Sequence, residues 1–287
     1  MLCRVFVGTA LALLLGMGLA QRDTVRVVAA ADLQYALAEI AQDFERQNPG
    51  VKVEINFGST GKLYTQIMQG LPTDLYFAAD DAFPVLLEQA GRTVPGTVKL
   101  YAVGRMVIWA SNSLVQQGLD PRKLGPKILL DPRITKLAVA NPVHAPYGRA
   151  GVTLLERFGL LRQTQSVKWE QMTAGIPAYY DIGPLRRGKP SFEFVYGENI
   201  SQTAQLALTS TNIGLIALSI ARSEAMERAG VFWLSPLSSH MRLNQTYVIL
   251  RGQDRPAVRR FYDYIATPEA HRVLRKYGFL LPGEKLE

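Results

Sequence analysis

Short apolar runs that are typical of strands alternate with helical patterns along most of the chain, and this alternation limits the fold more than any other feature. Residues 25–31 (VRVVAAA) indicate a strand, and apolar residues at helical spacing follow over 33–47. The same order returns at 51–57 and again at 74–79, a run apolar enough to be buried on both faces. The alternation predicts an α/β fold, with a parallel or mixed sheet flanked by helices.

The second half of the chain continues this alternation with one interruption. Further elements are predicted in the following places: strands near 100–110, 136–140 and 213–218, and helices over 147–158, 200–208, 221–229 and 269–277. Residues 171–193 contain three prolines and fit neither pattern, so we interpret them as an irregular excursion. A length of 287 residues suits one large domain or two lobes that each bury a core.

The first 20 residues have the three-part plan of a secretory signal peptide. One positive charge precedes an apolar run from Val5 to Ala20, which ends in small residues and is followed by polar Gln21. The run is shorter than the about 20 apolar residues that a membrane-spanning helix needs. The only cysteine, Cys3, would leave with residues 1–20, so we expect a cysteine-free mature chain in the periplasm.

The formal net charge of +8 comes from basic residues that are scattered along the chain. The densest cluster is residues 186–189 (RRGK), and neither zinc-ligand spacing nor an aromatic strand motif of nucleic-acid-binding domains accompanies it. We therefore predict no nucleic-acid partner and interpret the charge as a solvated basic surface. A net positive field would still favour a small anionic ligand.

Residues 58–62 (GSTGK) look at first like a nucleotide-binding loop between a strand and a helix. Such a loop has four residues between its first glycine and the Gly-Lys pair, followed by Ser or Thr. Here only Ser59 and Thr60 separate the two glycines, and Leu63 follows Lys62, so a nucleotide site is excluded. Taken alone, Ser59 or Thr60 would be an ordinary helix cap, but a Gly-rich helix start with two hydroxyls also suits an anion.

Three more helix starts carry small or polar residues: Ala31-Asp32, residues 145–148 (APYG) and residues 197–200 (GENI). In open α/β sheets, ligands bind outside the carboxyl ends of the strands, where such helix N-termini lie. The four helix starts could therefore share one ligand in a cleft. Pattern alone does not show that they converge.

The sequence offers little of what an exported enzyme would need. Its three histidines, His144, His240 and His271, are far apart and lack metal-ligand spacing, and no Gly-x-Ser-x-Gly elbow occurs. The adjacent Asp80 and Asp81 follow a predicted strand, where acidic residues more often cap a helix than catalyse. We predict no catalytic residue, no cofactor and no site for a free metal cation.

Six motifs occur in order along the predicted mature chain. They are residues 29–33 (AAADL), 57–61 (FGSTG), 74–80 (DLYFAAD), 141–148 (NPVHAPYG), 196–200 (YGENI), and 261–265 (FYDYI) running on to 276–279 (KYGF). In these motifs the chain resembles the periplasmic molybdate-binding proteins of ABC importers, which have the type II solute-binding protein fold. The resemblance implies two α/β lobes, each with a mixed, mostly parallel sheet, and two crossing strands as a hinge. We expect one lobe to comprise 21–103 and 248–287, and the other 104–247.

The resemblance also implies a ligand, a partner and a set of contact residues. The ligand would be a tetrahedral oxyanion, molybdate or tungstate, held by hydrogen bonds between the lobes of a monomer and delivered to a membrane permease. Molybdenum would be bound only within that oxyanion. By position, the family's ligand contacts fall on Asp32, Ser59, Thr60, Tyr147, Ile200 and Ala217. Sulfate, phosphate, chromate or a small carboxylate stay open as other ligands, since solute-binding proteins share one architecture.

Two of these positions depart from the family pattern. The family often has tyrosine at the position of Ala217, so the side-chain contact there is expected to be lost or replaced. It often has serine at the position of Asp32, and an ionised carboxylate repels an anion instead of donating a hydrogen bond. Asp32 could cap its helix and point away, or pair with a basic group such as Arg149. It could also accept a proton from a protonated ligand or coordinate the metal centre directly.

Overall fold

The computed structural model describes residues 23–163, 180–181 and 192–284. The predicted signal peptide and most of the predicted excursion over 171–193 lie outside the described residues. Within the described ranges, no helix combines the length and the hydropathy that a membrane crossing requires.

The described chain forms two five-stranded mixed sheets, each flanked by helices. The first sheet has the strand order β2-β1-β3-β12-β4, and the second has the order β11-β5-β10-β6-β9. The strands are β1 (Asp23–Ala30), β2 (Val51–Gly58), β3 (Leu75–Ala78), β4 (Lys99–Gly104), β5 (Met106–Ser111), β6 (Lys136–Ala140), β7 (Arg162–Gln163), β8 (Tyr180–Asp181), β9 (Glu193–Gly197), β10 (Ile213–Ala217), β11 (Gly230–Leu234) and β12 (Leu243–Ile249). The short β7 and β8 pair only with each other. The predicted two-lobed α/β fold is confirmed.

Helices follow most strands of both sheets. They are α1 (Gln34–Gln47), α2 (Thr60–Met68), α3 (Ala82–Gln89), α4 (Asn112–Gln116), α5 (Pro121–Leu124), α6 (Pro146–Arg157), α7 (Ile200–Leu206), α8 (Leu218–Ala221), α9 (Glu224–Ala229), α10 (Pro256–Tyr264) and α11 (Pro268–Lys276). Three short 3₁₀ turns lie at Ala31–Leu33, Gly125–Leu130 and Leu237–Ser239, and α7 runs into a π turn at Ala207–Thr211.

The centre of the first sheet is covered on both faces because β3 and the second half of β1 are apolar on both. In β1, Val25, Val27 and Ala29 belong to one core cluster with the apolar side chains of α1, α10 and α11. Val28 points the other way and packs with Leu63 of α2 and other buried residues of that face. Successive side chains of a strand point to opposite faces, so one strand serves both cores. A single larger cluster forms the core of the second lobe.

The chain crosses between the lobes at two places. The predicted strand over 100–110 is two strands, because β4 pairs within the first sheet and β5 within the second, with Arg105 between them. The return crossing runs from β11 to β12. β12 pairs with β4 from Leu243 onwards, so the boundary expected at 247/248 falls within this strand. The register of the pairing between β12 and β4 shifts between Gln245 and Thr246.

Candidate functional site

A small cavity lies between the two lobes. Its volume open to the centre of a water molecule is about 10 Å³, far below the range of about 300–1,000 Å³ that is typical of sites for drug-sized ligands. The first lobe contributes Ala30, Ala31, Asp32, Gly58, Ser59, Thr60 and Ala79, and the second contributes Ala145, Pro146, Tyr147, Asn199 and Ile200. The four helix starts singled out in the sequence therefore do converge. The cavity suits a small ion better than an organic molecule.

Backbone N–H groups dominate the polar character of this cavity. Thr60 begins α2, Ile200 begins α7, and Tyr147 is the second residue of α6. The first N–H groups of a helix have no partner within the helix, and the helix dipole adds partial positive charge there. No Lys or Arg is among the residues that line the cavity. An anion could therefore be held by N–H groups and dipoles without a counter-charge.

Thr60 is fully buried and has its side chain fixed from the first lobe. Its Oγ1 accepts a hydrogen bond of 3.1 Å from the N–H of Ala79, and its carbonyl oxygen accepts one of 2.8 Å from the hydroxyl of Tyr76. Since Oγ1 is used as an acceptor, its own hydrogen can be donated to a ligand. Thr60 thus supplies a positioned hydroxyl donor.

Ser59 contacts the opposite lobe. Its hydroxyl donates to the carbonyl oxygen of His144 at 2.6 Å, and the N–H of Gly61 donates to the same oxygen at 2.8 Å. A serine hydroxyl has one hydrogen, so in this arrangement it is directed across the cleft. The sequence grouped Ser59 with Thr60 as a ligand donor, whereas here its side chain joins the two lobes.

Asp32 lies in the 3₁₀ turn after β1 and its side chain is fully buried. Its Oδ2 accepts a hydrogen bond of 2.7 Å from Nε2 of Gln245 on β12. Burial raises the pKa of the Asp32 carboxyl to about 6, although the hydrogen bond from Gln245 and the nearby hydroxyl of Tyr147 oppose the rise. Asp32 therefore belongs to a polar network with Gln245 of β12, the strand that follows the return crossing between the lobes. The sequence did not reveal this network.

A pair with Arg149 was one of the alternatives for Asp32, but the ion pair that Arg149 forms here is with Asp80. The Nη2 of Arg149 on α6 lies 2.6 Å from Oδ2 of Asp80, which follows β3, and both side chains are buried. Burial raises the pKa of Asp80 to about 6, and the Arg149 guanidinium opposes that rise. The pair spans the two lobes, so it contributes to the arrangement in which they are closed on each other.

Other polar contacts also cross the cleft. Ser219 Oγ donates to the carbonyl oxygen of Asp32 at 2.7 Å, and Ser201 Oγ donates to Oε1 of Gln34 at 2.7 Å. At the exposed rim, Lys62 of the first lobe pairs with Glu198 of the second. The lobes are thus closed over the cavity.

The last two predicted contacts, Ile200 and Ala217, have different environments. Ile200 lines the cavity behind Asn199, whose side chain caps α7 by accepting a hydrogen bond of 2.9 Å from the N–H of Gln202. Ala217 is buried at the end of β10, opposite Met106, and is not among the lining residues. Asn199 belongs to the helix start 197–200 but was not among the predicted ligand contacts. Gln245 gave one signal, a polar residue between Asn244 and Thr246 in a strand whose second half is apolar.

Metal-ligating side chains do not cluster in the described ranges, where no group of three or more His, Cys, Asp and Glu is placed to hold an ion. The site offers hydrogen bonds to a small acceptor, through helix-start N–H groups and the Thr60 hydroxyl. Its one carboxyl group, on Asp32, is the exception.

Comparison with known proteins agrees with this arrangement. A family model described as bacterial extracellular solute-binding protein matches residues 25–280. The chain is 33% identical over 273 residues to the molybdate-binding protein ModA of Azotobacter vinelandii, covering 92% of this chain and 94% of the relative. It is 29% identical over 276 residues to ModA of Rhodobacter capsulatus, covering 95% of this chain and 94% of the relative.

Solved structures with the same architecture bind more than one ligand. The Azotobacter vinelandii periplasmic molybdate-binding protein superposes with a TM-score of 0.71 at 26% identity, covering 90% of this chain and 99% of its own. The sulfate-binding protein SubI of Mycobacterium tuberculosis superposes with a TM-score of 0.67 at 14% identity, covering 91% of this chain and 88% of its own. At that identity the second likeness concerns the fold alone.

Proposed function

The chain belongs to the bacterial extracellular solute-binding proteins, and from that premise we propose that it captures molybdate or tungstate in the cavity between its lobes. Its sequence similarity to molybdate-binding proteins over nearly the whole chain supports this choice of anion. The observation that carries the proposal is the cavity itself. Three helix N-termini and the Thr60 hydroxyl meet there, and no Lys or Arg lines it.

An anion site built this way follows from the physical chemistry of helix ends. Each helix start presents N–H groups that no carbonyl of its own helix can satisfy. A small oxyanion accepts several such hydrogen bonds at once, and each hydrogen bond to a charged group contributes about 1.5–3 kcal/mol. Since α2 belongs to one lobe and α6 and α7 to the other, the anion would join the lobes, and its binding would favour the closed form.

The proposal includes a partner and a location. We propose that the closed protein delivers its anion to the permease of an ABC importer, as an exported monomer that has lost residues 1–20 and acts in the periplasm. It would need no cofactor and catalyse no reaction. The solute-binding family supports this proposal, as does the position of the site in the cleft between the lobes.

The test is isothermal titration calorimetry on the chain starting at Gln21, with molybdate, tungstate, sulfate, phosphate and chromate. We expect one-to-one binding of molybdate and tungstate, at least about tenfold tighter than binding of the other three, a difference of about 1.4 kcal/mol. Preference for sulfate or phosphate would replace the proposed anion but keep the site. Absence of heat with all five anions would contradict an oxyanion site.

A further inference from the structure

The buried carboxyl group of Asp32 has one oxygen atom with a partner and one without. Oδ2 accepts the hydrogen bond from Gln245, whereas Oδ1 is buried and has no hydrogen-bond partner among the described residues. Asp32 is also one of the residues that line the cavity. A buried polar atom without a partner is destabilising, so its position at a ligand cavity needs an explanation.

The orientation of the carboxyl group is fixed by a chain of hydrogen bonds. Tyr101 on β4 donates its hydroxyl hydrogen to Oε1 of Gln245 at 2.6 Å, which leaves the amide nitrogen of Gln245 to donate to Asp32. Oδ2 is therefore the accepting oxygen atom in either protonation state of Asp32. A proton on the group would lie on Oδ1.

Close packing around Gly104 keeps this network in place. A Cβ atom at Gly104 would lie 2.5 Å from the hydroxyl of Tyr147 and 2.6 Å from Nε2 of Gln245. Only a residue without a side chain lets both groups approach the hinge crossing so closely. Gln245 and Tyr147 thus approach Asp32 from β12 and α6, and of these two only the Gln245 amide donates to the carboxyl group in hydrogen-bond geometry.

Within the described residues, the groups that oppose the rise of the Asp32 pKa are uncharged: Gln245, Tyr147 and the backbone of Asp32 itself. The ion pairs of the described residues include none with Asp32, and Arg149 is engaged by Asp80. The titratable side chains that face Asp32 are Tyr101 and Tyr147, whose pKa values burial raises well above their ordinary range, so both stay neutral. The elements packed against the turn add uncharged groups: Gln34 from α1, Ser201 from α7, Ser219 from α8 and the apolar end of β2.

A dianion and an ionised carboxylate cannot share this cavity without a proton between them. Two like charges in a buried site repel each other strongly, and one proton removes the repulsion and adds a hydrogen bond. We propose that Asp32 is a neutral carboxyl group in the liganded site, with its Oδ1 proton donated to an oxygen atom of the bound dianion, so that capture takes up one proton from solution. This rests on the proposed function and identifies Asp32 as the residue that reads the protonation of the ligand.

The proposal has a consequence for specificity. A dianion that carries no proton, such as molybdate, tungstate or sulfate, accepts the hydrogen bond from Asp32. Hydrogen phosphate can bring its own proton and donate it to an ionised Asp32, so its capture would take up no proton. The number of protons taken up therefore distinguishes the two kinds of anion.

The test is titration of the full mature chain with molybdate in buffers of different ionisation enthalpy at one pH. The slope of the observed heat against that enthalpy gives the number of protons exchanged. For the wild-type protein we expect uptake of about one proton, and an affinity that falls about tenfold for each pH unit between about pH 7 and about pH 9. Asp32→Asn has an amide that can donate in place of the carboxyl proton, so we expect no proton uptake and a flat pH profile.

The control variant is Asp131→Asn, which removes a partly exposed carboxylate that pairs with Arg133 and is not among the residues that line the cavity. It should keep the wild-type slope. Molybdate binding by the wild-type protein without proton uptake would overturn the inference while leaving the proposed function intact. Failure of the wild-type protein and both variants to bind molybdate would instead contradict the proposed function. The wild-type measurement alone decides the inference if Asp32→Asn does not fold.

Discussion

Asp80 of the first lobe and Arg149 of the second form a buried ion pair across the cleft, with 2.6 Å between Oδ2 and Nη2. Their side chains are only 6% and 7% exposed. The Arg149 guanidinium also lies over the ring of Phe83, 5.8 Å from its centroid. Opening of the lobes would separate Arg149 from both groups and return the charges to water. The attraction between these two charges therefore favours the closed arrangement of the lobes.

Asp80→Asn should weaken closure and lower the affinity for molybdate by about tenfold or more, since removing one partner of a buried pair costs about 3–5 kcal/mol. Part of that cost can be relieved because the lobes can open and hydrate Arg149. Affinity from calorimetry and the radius of gyration from small-angle scattering at saturating ligand would measure both effects.

The matched control for Asp80→Asn is Lys62→Gln, which breaks the exposed pair with Glu198 at the rim of the same cleft. Exposed pairs contribute about 0–1 kcal/mol, so we expect an affinity loss below about fivefold that shrinks further in salt. Equal losses in the two variants would show that burial of the Asp80 pair has no special role.

Gly61→Ala should hinder closure by steric contact. A Cβ atom there would lie 3.0 Å from the Cα and carbonyl oxygen atoms of His144 in the opposite lobe, and 3.0 Å from the ring of Phe83. We expect a faster dissociation rate for molybdate, measured by stopped-flow displacement. Gly50→Ala is the control, because a Cβ atom at Gly50 meets nothing within 4 Å. A dissociation rate unchanged by Gly61→Ala would mean that ligand release does not require the lobes to part here.

Thr60→Val should lower the affinity for molybdate by about ten- to a hundredfold, the loss of one hydrogen bond to a charged group. The substitution keeps the shape of the side chain but removes the hydroxyl donor. It also leaves the N–H of Ala79 without its acceptor, so the melting temperature should fall as well. Thr60→Ser keeps the hydroxyl and should bind nearly as the wild-type protein does. Equal affinities for Thr60→Val and Thr60→Ser would remove Thr60 from the ligand contacts.

The stability of the unliganded protein should depend on pH through Asp32. Burial raises its pKa from 3.8 to about 6, so the protonated form favours the folded state. This contribution is fully present below about pH 4 and is lost as the pH rises through about 6. Asp32→Asn should therefore raise the melting temperature relative to the wild-type protein above pH 6 and lose that advantage near pH 4. If Asp32→Asn and the wild-type protein differ in melting temperature by the same amount at both pH values, burial of an ionisable carboxyl group is not the cause of the difference.

The sequence predicted the architecture because each strand and helix carries its own periodic signal. The alternating run in β1 and the helical spacing in α1 were sufficient to locate both elements to within a few residues. It failed at Arg105, where one apolar run is divided between two sheets. Nothing in the local hydropathy distinguishes a strand that stays in one sheet from two strands that cross between lobes, because the residues on both sides of Arg105 are apolar and buried.

The sequence by itself determined the helix starts that face the cavity, since glycine and short polar residues at the end of a strand fix where a helix can begin. Only the tertiary structure decided which side chains meet there. It joined Asp32 to Gln245, 213 residues apart, and paired Arg149 with Asp80 where the sequence had allowed Asp32. The physical reason is that several residues along the chain could chemically serve as the hydrogen-bond or ion-pair partner of a given side chain. Which of them does so depends on the packing of the two lobes, because packing sets the distances between side chains and their burial.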